Sequence, residues 1–125
     1  MIFKIRTSKK TMQIFQEIGA SEQLQPFVLS KLAIALSIKN PEPLINSDFH
    51  RDNNGLELNR QTITGEYDIL FKCLIQMKEC RHIDDDEYFR NYIKAHLDRG
   101  AIYLQNEHKY SGDFLVHLLN IEKSI

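Results

Sequence analysis

No stretch of this chain approaches the roughly 18 uninterrupted apolar residues of a membrane-spanning helix. The nearest, PFVLSKLAIALSI at residues 26–38, is too short and carries Lys31. The opening residues, MIFKIRTSKK, lack the basic-then-apolar layout of a secretory signal. Charge of one sign is also lacking. Sixteen Lys and Arg against 17 Asp and Glu leave a net charge of −1, so total charge favours no partner. Cysteine is limited to Cys73 and Cys80. On one helix they would stand about 10.5 Å apart along the axis, too far for a disulfide, which needs Cα atoms within about 7 Å. Reduced cysteines that pack in the core, in a cytoplasmic protein, are the expectation.

Catalytic signatures are missing too. The five histidines (His50, His82, His96, His108, His117) are scattered, and HExxH, GxSxG and a phosphate-cradling glycine loop do not occur. Residues 48–54 alternate acidic and amide side chains around His50. Counted as a calcium loop from Asp48, however, the sixth position is Asn53 and the twelfth Asn59, where Gly and Glu are required. Cys73, Cys80 and His82 lack the paired spacing of a zinc site. Asp98 with Glu107 and Lys109 gives only a loose echo of a nuclease centre, on a segment that reads as helix. No catalytic residue, metal site or cofactor is therefore expected.

What remains is an ordinary soluble composition, 42% hydrophobic over 125 residues. That is enough for one domain, residues 1–125, with a real core. Residues 2–7 alternate apolar and basic, with Phe3 and Ile5 on one side and Lys4 and Arg6 on the other: a half-exposed strand. Thr7 or Ser8 can cap a helix that carries Met12, Phe15 and Ile18 and ends at Gly19. Pro26 opens a second helix to about Ile38, apolar nearly all round and expected to be the most buried element. Residues 40–64 read as a long connection with a short strand at 56–58. Thr64 then caps a helix whose stripe is Tyr67, Leu70, Phe71, Leu74 and Met77. The acidic run Asp84, Asp85, Asp86 and Glu87 reads as a capped helix start, with Ile83 and Tyr88 as its hydrophobic staple. Gly100 breaks that helix or packs tightly, and Ser111 caps a last short helix over residues 111–119.

The expected fold is thus mainly α, a compact helical domain with a short N-terminal strand and a ribbon-helix-helix-like start. In that layout two chains would pair their first strands. Lys4, Arg6, Lys9 and Lys10 place four cations within seven residues, ahead of the first acid, Glu17. Such a cluster can meet several phosphates.

IRTSKKT (residues 5–11), SKLAIALSI (30–38), NGLELNRQTITGEYD (54–68) and AHLDRG (95–100) give the chain a likeness that covers most of its length. It resembles the DndE family, the small component of the bacterial DNA sulfur-modification, or phosphorothioation, system. The resemblance implies a helical protein that assembles with itself, as a tetramer, and binds duplex DNA with a preference for nicked DNA. It also implies work alongside the DndC and DndD proteins, which carry the recognisable enzymology. The leading reading is a non-catalytic DNA-binding subunit. Its alternatives are an enzyme of the same pathway (strand nicking or sulfur transfer) and a ribbon-helix-helix regulator. The DNA-binding residues expected from charge patterning are Lys4, Arg6, Lys9 and Lys10, with Arg60 as a phosphate or partner contact.

Overall fold

The computed structural model describes residues 2–110. The helix expected over residues 111–119 lies outside them. Strand β1 (Lys4–Arg6) leads into α1 (Lys9–Glu22) and α2 (Pro26–Lys39). A 3-10 turn at Asn46–His50 precedes β2 (Glu57–Asn59), the single-turn α3 (Arg60–Ile63), a 3-10 turn at Gly65–Tyr67 and α4 (Asp68–Glu79). The chain then runs end to end through α5 (Asp85–Glu87), a π-helical stretch at Tyr88–Ile93 and α6 (Lys94–Lys109). The mainly helical fold with a short N-terminal strand is therefore observed. The partner of β1 is internal: it pairs antiparallel with β2, Lys4 opposite Asn59, Ile5 opposite Leu58 and Arg6 opposite Glu57.

Helix boundaries follow local chemistry where side chains cap. Ser8 Oγ accepts from Thr11 N at 3.1 Å and starts α1. Gly19 does not end it. The helix continues to Glu22 and stops at Gln23, which takes the left-handed conformation (φ 56°). Asn59 caps α3, accepting from Thr62 N at 2.8 Å, while Thr64 makes no capping bond at the start of the Gly65–Tyr67 turn and Tyr67 is the residue that precedes α4. The Thr64 hydroxyl instead donates to Asp68 at 2.7 Å. Asp84 caps α5 as expected, accepting from Glu87 N at 2.9 Å, and Ile83 and Tyr88 beside it are fully buried.

The core forms where α6 lies across α2 and α1. Its main apolar members are Ile14, Phe15, Ile18, Leu29, Ile34, Leu97 and Leu104. The most buried segment is residues 95–101 of α6, not α2. Helix α2 leaves Phe27 exposed, and Val28 and Leu32 half-buried. On α4 only Phe71 and Ile75 are buried. Tyr67, Leu70, Leu74 and Met77 of the expected stripe lie at the surface. Both cysteines are exposed as well, so neither is a core residue.

Gly100 is the point of closest approach of the two long helices. A Cβ there would stand 1.7 Å from the Ala33 carbonyl oxygen. Arg99, 5% exposed, reaches from the next position to the end of α2. It donates to Ser37 O (2.7 Å), Ser37 Oγ (2.9 Å), Glu42 O (2.9 Å) and Pro43 O (3.2 Å). Lys78 Nζ adds bonds to Ile38 O (2.7 Å) and Asn40 O. Two cations therefore satisfy the terminal carbonyls of α2 and fix the connection that follows.

Ser37 Oγ accepts from Arg99 and shares a hydrogen bond of 2.7 Å with His96 Nδ1. Burial pushes the His96 pKa down to about 3, with the Arg99 and Lys78 charges acting in the same direction and Asp48 opposing them. Unfolded, His96 would bind a proton near pH 6.5. The unfolded chain therefore takes up a proton that the folded chain refuses. This part of the stability is complete above about pH 6.5 and is lost as pH falls toward 3.

Two outcomes are expected. Gly100→Ala must prise α6 from α2 and should cost about 3 kcal/mol by urea unfolding. His96→Gln should flatten the fall in stability between pH 6.5 and 5, which in the native protein has a slope of up to about 1.4 kcal/mol per pH unit. Equal slopes in the two proteins would remove His96 as the cause.

Candidate nucleic-acid interface

Alternation along β1 settles the placement of its cations. Ile5 turns inward and is 8% exposed, so Lys4 and Arg6 stand on the outer face. Lys9 and Lys10 are exposed at the start of α1. Among the described residues no carboxylate lies within ion-pair distance of any of the four. Arg6 donates to Gly55 O at 3.4 Å, and no carboxylate neutralises the charge of the four.

The backbone beneath them is tied down at several points. Asp98, 1% exposed, accepts from Ser8 N at 3.0 Å, Thr11 Oγ1 at 2.7 Å and Lys94 Nζ at 2.6 Å. Lys94 also donates to Asp52 O at 3.0 Å. Asp52 in turn accepts from Lys9 N at 2.9 Å and Asn54 N at 3.1 Å. Those backbone N–H groups, Lys9 first, hold its carboxyl below the usual range. Thr7 locks the neighbouring strand: its N donates to Leu56 O at 2.8 Å, and its O accepts from Gly55 N at 2.9 Å. At Gly55 a Cβ would lie 2.1 Å from Ser8 O. The stretch at 48–55 is thus a brace for the start of α1. Asp48, its other acid, accepts from Ile45 N at 2.9 Å and pairs with Arg51 at 3.1 Å.

Arg60 is placed differently from the other four. Its guanidinium meets Asp68 at 2.8 and 3.0 Å and Asp85 at 2.7 and 2.9 Å. It also donates to Ile2 O at 3.2 Å. Its carbon lies 4.7 Å from the Phe89 ring centroid, and its side chain is 12% exposed. With both carboxylates already bound, no N–H fork is left to grip a phosphate. Arg60 is a structural hub, and Asp85 is part of it as well as of the helix start. Burial disfavours the Asp68 carboxylate, but hydrogen bonds from Arg60 and Thr64 outweigh this and lower its pKa. The bond from Arg60 likewise lowers that of Asp85. Burial, reinforced by Asp68, raises the pKa of Tyr88, whose hydroxyl donates to Asp68 O at 2.9 Å.

No sequence signal pairs Arg60 with residues 8 and 25 positions away. The same holds for Asp98 and Ser8. Among the described residues, no three His, Cys, Asp or Glu side chains gather as a metal site.

Arg60→Ala should destabilise the fold by about 2 kcal/mol. This is less than the roughly 3–5 kcal/mol lost when a fully buried pair is broken, because Asp85 keeps some water. The stabilisation belongs to carboxylates whose folded pKa is depressed. It is present above the unfolded value, about 3.9, and disappears as pH falls through the folded one. Denaturation of the native protein and Arg60→Ala should therefore converge at acid pH, once both carboxylates are protonated in the folded state. A gap that persists at acid pH would mean that packing on Phe89, not charge, carries the effect.

The family model described as "DNA sulphur modification protein DndE" matches residues 4–111. Among solved structures, the crystal structure of DndE from Escherichia coli B7A, involved in DNA phosphorothioation modification, superposes with a TM-score of 0.65. At 16% identity that match covers 81% of this chain and 97% of the other. A DndE mutant with two glycine-to-lysine substitutions, also involved in DNA phosphorothioation, gives 0.61 at 16% identity, over 82% of this chain and 98% of its own. Comparison with curated proteins returns no match. The structural likeness establishes a shared fold, and the match over residues 4–111 establishes kinship: the chain belongs to the DndE family of DNA sulphur modification proteins.

Proposed function

We propose that this chain is a non-catalytic DNA-binding subunit of the phosphorothioation machinery. It holds duplex DNA, with a preference for a nicked duplex, in a cytoplasmic assembly with DndC and DndD. It works as a homo-oligomer, with four copies as the resemblance implies. The observation that carries this reading is the exposed, unpaired set Lys4, Arg6, Lys9 and Lys10 on a backbone fixed by Asp98, Asp52 and Gly55. A rigid base lets four cations meet phosphates with little ordering cost on binding. The contact is to the backbone and carries no sequence information of its own. Several copies presenting the cluster together add avidity.

Binding should fall steeply with salt, with a log–log slope of about −0.9 for each phosphate neutralised. Replacing Lys4, Arg6, Lys9 and Lys10 with Gln should weaken binding and make the slope shallower, measured by fluorescence anisotropy on nicked and intact duplexes. Arg60→Lys, checked for folding, should leave the slope unchanged. An unaltered slope in the fourfold variant would sink the site. A metal-dependent cut in the DNA would replace the reading with that of an enzyme, and preference for one operator sequence with that of a regulator.

A further inference from the structure

Tyr67, Leu70, Leu74 and Met77 follow one another at spacings of three, four and three residues. This is the a/d rhythm of a helix that packs lengthwise on another helix. Nothing in the described chain covers it. Leu70 is 52% exposed, Met77 74% and the adjoining Ile69 78%. Across a groove, α2 adds Phe27, 50% exposed, with Val28 and Leu32 in the groove wall. The inner face of the same helix is separate, made by Phe71 and Ile75. Helix α4 therefore has two apolar faces and uses one.

Taking roughly 200 Å² for each large apolar side chain, the open parts of Phe27, Tyr67, Ile69, Leu70, Leu74 and Met77 sum to about 650 Å². That exceeds the patch a monomer ordinarily leaves in water. It approaches the ~800 Å² that each partner contributes to a stable interface.

We infer that this seam is a two-fold interface between copies of the chain, formed by antiparallel packing of α4 on α4. The spacing is its own complement. With the axis midway between Leu70 and Leu74, each Leu70 meets Leu74 of the second copy and each Tyr67 meets Met77. An isologous contact requires this pairing of i with j and j with i. Cys73, exposed on the flank of the seam, then lies beside the axis, about 3 Å along it from its counterpart. The two Cys80 residues end up about 24 Å apart. The inference deepens the homo-oligomer reading proposed above and rests on it.

Light scattering and thiol cross-linking test it together. The full chain at micromolar concentration should run as an oligomer, and Leu70→Glu should lower its mass. Met77→Lys, also at an exposed site, provides a second variant if the first fails to fold by circular dichroism. A short bis-maleimide should join two chains in the native protein and in Cys80→Ser, but not in Cys73→Ser. A native monomer would overturn both this interface and the homo-oligomer reading. A native oligomer that keeps its mass in folded Leu70→Glu and Met77→Lys and does not cross-link through Cys73 would overturn the interface alone.

Discussion

The start of α1 depends on one buried carboxylate. Asp98 lies inside the most buried segment of the chain, and its two oxygens are met by Ser8 N, Thr11 Oγ1 and Lys94 Nζ. A lone carboxylate in such a place would cost several kcal/mol. The fold avoids that by bringing a hydroxyl, a backbone N–H and an ammonium to it. The carboxylate thereby joins the middle of α6 to the β1–α1 junction. Through Lys94 the tie extends to Asp52, and through Asp52 to Lys9 N. The cations proposed to face DNA stand on this frame.

Other charges inside the molecule serve the same purpose. Arg60 binds Asp68 and Asp85 and so holds α3, α4 and α5 together. Arg99 and Lys78 sit on the final carbonyls of α2. In each case the charge satisfies backbone or carboxylate groups that packing has removed from water. Three basic side chains are thereby withdrawn from surface roles, although in the sequence they look like any other Lys or Arg. A count of basic residues would overstate the nucleic-acid surface. Of the cations left exposed without an ion pair among the described residues, Lys4, Arg6, Lys9 and Lys10 form the densest group, while Lys39, Arg90 and Lys109 stand singly elsewhere.

Much of the architecture can be read directly from the sequence. The alternation at residues 2–7 marks β1. Ser8, Pro26 and Asp84 mark helix starts, because a hydroxyl or carboxylate that caps, or a proline in the first turn, acts within three or four residues. The stretches IRTSKKT, NGLELNRQTITGEYD and AHLDRG point to the family, and the match over residues 4–111 bears that out. The rhythm of Tyr67, Leu70, Leu74 and Met77 was legible too, although its direction was not. Periodicity reveals that a face is apolar but not whether the interior lies beneath it.

The sequence by itself determined the helix-rich class, most of the element starts, the family and the local density of positive charge, because each depends on neighbours along the chain. Tertiary structure alone decided which polar groups are interior. Residues 95–101 read as a mixed helix with His96, Asp98 and Arg99. They become the centre of the fold because Gly100 lets α2 approach and because partners from residues 8, 11, 37 and 42–43 arrive to satisfy them. Arg60 passed from candidate phosphate contact to structural hub for the same reason. Whether a charge is free or bound depends on carboxylates brought near it by folding, and sequence distance carries no trace of that.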